Sequence, residues 1–117
     1  MPYDPENVFA KILRDEIPST RVYEDNEFIA IRDVNPAAPT HILLIPRGDG
    51  PVSPANLGDP DAAWVGRMVV LATQIARQQG LEEDGYRLVM NCGRDGGQSV
   101  PHLHLHILGG RALHGFG

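Results

Sequence analysis

Pro101-His102-Leu103-His104-Leu105-His106-Ile107-Leu108 is the stretch on which the reading of this chain turns. Three imidazoles recur at every second position with aliphatic residues between them, and a period of two brings side chains to one face only from an extended strand. The spacing predicts a strand over residues 102–108 whose histidines stand in a row at intervals of roughly 6.6 Å, two strand rises each. Leu103, Leu105 and Ile107 take the opposite face and anchor the strand in a core.

Immediately upstream runs Asn91-Cys92-Gly93-Arg94-Asp95-Gly96-Gly97-Gln98-Ser99. Its glycines leave backbone N–H groups open to close approach by an anion, because no Cβ stands in the way. A loop fit to cradle phosphate therefore leads into a strand of histidines. The simplest chemistry for that pair is attack of a neutral imidazole on phosphorus, with loop amides stabilising charge on the non-bridging oxygens.

Working outward, Asn7 is placed to cap a short helix over Val8 to Asp15, with Val8, Ile12, Phe9 and Leu13 facing inward and Pro18 closing it. Arg21–Glu24 and Phe28–Ile31 flank the turn pair Asp25-Asn26 and read as a hairpin. His41–Ile45 is a continuous apolar run and reads as a central strand. Arg47 to Pro54 is a loop by its glycine and proline content. From Asp61 to Gln79, Trp64, Met68, Leu71 and Ile75 recur at helical spacing until Gly80, and core packing explains them better than a ligand role. Tyr86–Met90 supplies the fourth strand. The order predicts an α+β domain, with a mainly antiparallel sheet of five strands, a short N-terminal helix and one long helix.

The 117 residues fit one domain spanning 1–117, with a single modest core. A net charge of −5 speaks against a nucleic-acid partner, whose binding rests on Lys and Arg contacts to many phosphates, yet leaves room for one small anion. Cys92 is the sole cysteine, so an internal disulfide is ruled out and a reducing, cytoplasmic setting is expected. The N-terminus has neither the basic start nor the apolar run of a secretory signal, and no membrane partner is expected.

The segment Gly96-Gly97-Gln98-Ser99-Val100 followed by His102-Leu103-His104-Leu105-His106-Ile107-Leu108-Gly109-Gly110 resembles the signature of the histidine triad family, and its Leu-Gly-Gly ending resembles that family's Hint branch of nucleoside phosphoramidate hydrolases. Val8-Phe9-Ala10-Lys11-Ile12, Glu16-Ile17-Pro18, Asp33, Pro39-Thr40-His41 and Ile45-Pro46 match in order, so the likeness covers nearly the whole chain. The resemblance implies a hydrolase of purine nucleoside 5′-phosphoramidates of the AMP or GMP type, without cofactor or metal. His104 is implied as the nucleophile that forms a nucleotidyl-histidine, and His106 as a group reaching the same phosphoryl or its bridging atom. Ser99 is implied as the hydroxyl that helps protonate the departing amine. His102 and His41 are implied as supporting members that set tautomer and orientation. Nucleotide binding falls to Asp33 at the ribose hydroxyls, to Asn91, Gly97 and Gln98 near the phosphate, and to Val8, Phe9, Ile12 and Ile31 at the base. Taken alone, Asp33 is an ordinary turn aspartate before Asn35-Pro36, and the apolar four are inward faces of a helix and a strand.

Family members of this branch commonly carry a histidine shortly after the Ile-Pro and basic pair, where this chain reads Ile45-Pro46-Arg47-Gly48-Asp49-Gly50. Close relatives end in a tryptophan near the partner's site, where this chain ends His114-Gly115-Phe116-Gly117. A symmetric homodimer is expected, with Val65, Val69, Ala72 and Ala76 as a second apolar stripe of the long helix meeting its copy. Three other readings compete. Paired histidines with His41 or Asp95 resemble a zinc site, the leaving group of a dinucleoside polyphosphate hydrolase would be a nucleotide, and an adaptor would bind nucleotide without turnover.

Overall fold

The computed structural model describes residues 2–116. Five strands form one antiparallel sheet: β1 (Arg21–Glu24), β2 (Phe28–Arg32), β3 (Thr40–Pro46), β4 (Tyr86–Val89) and β5 (Leu105–Gly109), in the spatial order β1-β2-β3-β5-β4. The register sets Ile31 opposite Leu43, Leu43 opposite His106 and His41 opposite Leu108. Alternation then sorts the side chains. Phe28, Ala30, Ile42, Leu44, Leu105 and Ile107 pack beneath the long helix α2 (Ala62–Gln78) with Met68, Ala72, Ile75 and Ala76. Ile29, Ile31, Leu43 and Ile45 face the other way, against Phe9 and Ile12 of the short helix α1 (Val8–Leu13).

Asn7 caps α1 as its sequence suggests, accepting from the Ala10 N–H at 2.9 Å. The helix stops at Leu13 rather than Asp15, because Asp15 takes a left-handed conformation with φ 61° and the Glu16 N–H turns back to the Lys11 carbonyl. Only part of its expected inner face is buried: Phe9 and Ile12 are, whereas Val8 is 40% exposed at the rim of a cleft. At the far end of α2, Gly80 has φ +76°, and the Gly80 and Leu81 N–H groups donate to the Arg77 and Ala76 carbonyls. That paired closure requires a left-handed residue just past the helix, which glycine supplies without strain.

Two expectations change. The proposed second stripe on α2 is not free, since Ala72 and Ala76 are fully buried in the chain's own core and Val65 packs against it, leaving Val69 and Val70 as its exposed large apolar residues. The last strand begins at Leu105, not at His102. Backbone groups ahead of it are engaged elsewhere: the His102 N–H donates to the Val100 carbonyl, the Leu103 N–H to the Pro51 carbonyl, and the His102 carbonyl accepts from a side chain. The two-residue alternation nevertheless persists through the irregular stretch, with Leu103 in the α2 core and His102 against Phe9 on the other side. No helix among the described residues is long and apolar enough to cross a membrane.

Candidate active site

Between α1 and the sheet lies a cleft of about 300 Å³ whose lining includes Val8, Phe9, Ile12, Ile31, Asp33, Ser99, His104 and His106. Eight of the residues singled out in the sequence therefore converge, although they come from a helix, a strand, a turn, a loop and the segment around β5. Ile17, Pro18, Val34, Leu43 and Val100 complete its apolar wall. Of these, Leu43 was legible, because it stands two residues from His41 on the same face of β3.

The histidines do not form an evenly spaced row. His104 and His106 have ring centroids 4.9 Å apart and His41 lies 5.2 Å from His106, whereas His102 points away into a buried pocket between Tyr3 and Phe9. Each ring's tautomer follows from its neighbours, since a carbonyl oxygen can only accept and a backbone N–H can only donate. His104 Nδ1 is 2.6 Å from the His102 carbonyl, so Nδ1 carries the hydrogen and Nε2 of the neutral ring keeps its lone pair. His41 Nδ1 accepts from the Ala37 N–H at 3.0 Å, so the His41 hydrogen sits on Nε2. That Nε2–H donates to His106 Nδ1 at 2.9 Å, with the Asp33 carboxylate 3.4 Å away. His106 is left with its own hydrogen on Nε2. One ring lining the cleft thus offers a lone pair and its neighbour a proton.

Burial holds the imidazoles neutral. It lowers the pKa of His104 below the ordinary range, against the opposing pull of the His102 carbonyl and Asp33. It brings His106 down to about 4, aided by the nearby His104 and His41. His41 is lowered by burial, with Asp33 opposing. The folded state therefore binds fewer protons than the unfolded chain, whose histidines titrate near 6.5, so stability is full above that value and falls as pH drops from about 6.5 toward 4. Between pH 7 and pH 5 the loss through His106, after allowance for solvent screening, is about 1–2 kcal/mol, or roughly 5–10 °C in Tm. Calorimetry at the two pH values checks this, and a flat profile would mean that the rings are solvated in the fold.

The glycine loop is closed on itself. The Asn91 amide donates to the Gly96 carbonyl at 2.7 Å and the Gly97 N–H to the Arg94 carbonyl at 3.1 Å. Gln98 acts as a latch, accepting from the Gly93 N–H and donating to the Val52 and Val100 carbonyls. A Cβ on Gly96 would overlap the Cys92 carbonyl, which explains the glycine there. Asn91, Gly97 and Gln98 thus shape the loop and do not line the cleft, while Ser99 at its end borders both the cleft and a second hollow flanked by Val52, Ala55 and Pro101. Asp33 behaves locally as a turn aspartate, accepting from the Asn35 N–H at 2.8 Å. Among the described residues, the potential metal donors gathered within 4.8 Å of one another are those of Asp33, His41 and His106. Asp95 is not among them and pairs with Arg94 at the surface.

Residues 14–113 match the HIT domain family model, and the chain belongs to that family. It is 51% identical over 108 residues to the purine nucleoside phosphoramidase of Escherichia coli (strain K12), covering 92% of this chain and 90% of that protein. A histidine triad protein from Clostridium difficile superposes with a TM-score of 0.87 at 43% identity, covering 94% of this chain and 95% of that one. A HIT family hydrolase from Legionella pneumophila Philadelphia 1 superposes with a TM-score of 0.86 at 44% identity, covering 90% and 93%.

Proposed function

We propose that this protein hydrolyses purine nucleoside 5′-phosphoramidates through a covalent nucleotidyl-His104. The observation that carries the reading is the 2.6 Å bond from His104 Nδ1–H to the His102 carbonyl, which leaves the lone pair of a neutral imidazole on Nε2 at the cleft. Nε2 attacks the α-phosphorus, the P–N bond breaks, and the amine departs with a proton from Ser99 or from Nε2–H of His106. Water then attacks phosphorus and returns a proton to the group that gave one to the amine, the P–Nε2 bond breaks, and a nucleoside monophosphate is released with His104 and the proton donor restored. The base lies between Val8, Phe9, Ile12 and Ile31, and Asp33 receives the ribose hydroxyls as an acceptor-only group. Asn91 and Gly97 lie outside the cleft lining, so for them to reach phosphate oxygens their N–H groups must first leave the Gly96 and Arg94 carbonyls, while Gln98 keeps its hold on Val52 and Val100.

The high identity to a phosphoramidase favours this reading over a dinucleoside polyphosphate hydrolase. Incubating the protein with adenosine 5′-phosphoramidates and with diadenosine polyphosphates side by side tests it, and faster cleavage of the polyphosphates would reverse the assignment. Ser99→Ala should slow alkyl-amine leaving groups more than aryl-amine ones, by about tenfold between the extremes, because a proton donor matters most to a basic nitrogen. Equal slowing across a series of amines graded by pKa would remove Ser99 from that role.

We further infer a symmetric homodimer. Its support is now the open edge strand β4 together with exposed Val69 and Val70, rather than a second stripe on α2. Sedimentation of the purified protein at micromolar concentration should show a dimer, and a fully active monomer would refute the pairing.

A further inference from the structure

Tyr3 precedes the first helix and carries no signal in the sequence, yet its hydroxyl lies 2.6 Å from Nδ1 of His102, 99 positions away. The other ring nitrogen of His102, Nε2, is 2.8 Å from the Pro46 carbonyl. Because that carbonyl only accepts, Nε2 carries the hydrogen of the neutral ring, Nδ1 carries the lone pair, and the tyrosine hydroxyl is the donor. His102 is 0% exposed, so both of its nitrogens are satisfied within the protein. The Tyr3 and Phe9 rings meet it edge-on at centroid distances of 5.4 and 6.3 Å.

The same residue presents the backbone carbonyl that binds His104 Nδ1–H. We propose that Tyr3 is a positioning residue: by clamping the His102 ring it fixes the carbonyl that orients His104 and so holds the Nε2 lone pair toward the cleft. The inference rests on the assignment of His104 as nucleophile made above. Packing alone would be served by phenylalanine. What the hydroxyl adds is a donor to a nitrogen that, left alone in a dry site, would either stay unpaired or take up a proton and place a cation beside His104.

Tyr3→Phe in the full chain keeps the ring and removes the donor. Three measurements read the result: thermal unfolding, the imidazole nitrogen-15 signals of His102 and His104 without substrate, and steady-state hydrolysis of adenosine 5′-phosphoramidate. The clamp predicts little change in unfolding, a His102 Nδ1 signal displaced toward that of an unbonded imidazole nitrogen, and a displaced His104 Nδ1–H signal. It also predicts kcat lower by about tenfold with KM changed by less than about twofold. A kcat within about twofold of the parent, a loss expressed equally in KM, or unmoved His104 signals would each overturn it. A parent protein that releases no AMP from the phosphoramidate would instead refute the reaction. The nitrogen signals would then still decide whether Tyr3 clamps His102 and orients His104.

Discussion

His104→Ala lowers kcat for adenosine 5′-phosphoramidate by at least about 10³-fold, equivalent to roughly 4 kcal/mol of barrier, because it removes the atom proposed to bond phosphorus. His104→Asn and His104→Gly are equally inactive, since neither side chain offers a nucleophile there. The fold survives, because the ring lines a cleft and its main-chain neighbours Leu103 and Leu105 remain anchored under α2. Rapid quenching of the parent followed by mass spectrometry shows one nucleotide on the peptide containing His104, and the variant shows none. Rates for His104→Ala within tenfold of the parent would remove this histidine from the bond-forming role.

His41→Ala lowers kcat by about 10²-fold while leaving affinity for AMP close to the parent's, because His41 acts on the neighbouring ring rather than on a nucleotide. Its Nε2–H fixes the hydrogen of His106 on Nε2, and the Asp33 carboxylate stands beside it at 3.4 Å. Without that donor, His106 is free to adopt the other tautomer and present a lone pair where a proton is needed. His41→Gln retains more activity than His41→Ala, since an amide N–H can still donate to Nδ1. Equal loss in the two variants, or loss of AMP affinity in step with kcat, would show that His41 serves packing alone.

The cleft was legible to the extent that its residues sit on repeating elements. His104 and His106 alternate with core aliphatics, and Phe9 and Ile12 share one side of a capped helix, so local period alone assigns them a side. Ser99 was legible through the family signature. Tyr3 was not, because its partner lies 99 residues on, and no local pattern encodes which ring the segment ahead of the first helix reaches. The same holds for Gln98, marked by the signature but engaged as a latch on Val52 and Val100, and for Val8, which the helical pattern turned inward and the cleft leaves half open.

By itself the sequence determined the element order, the antiparallel sheet and the division of residues 102–107 into an imidazole side and an aliphatic side, because alternation and capping act over a few bonds of chain. Tertiary structure decided where β5 starts, since the backbone of residues 102 and 103 finds its partners at Val100 and Pro51 rather than in the ladder. It decided part of the protonation pattern as well. Tyr3 and Pro46 reach the His102 ring from 99 and 56 positions away and His41 reaches His106 across 65, whereas His104 and His41 take their own partners from His102 and Ala37, two and four residues off. A histidine's reactive nitrogen is chosen by whichever donor or acceptor stands at the other one.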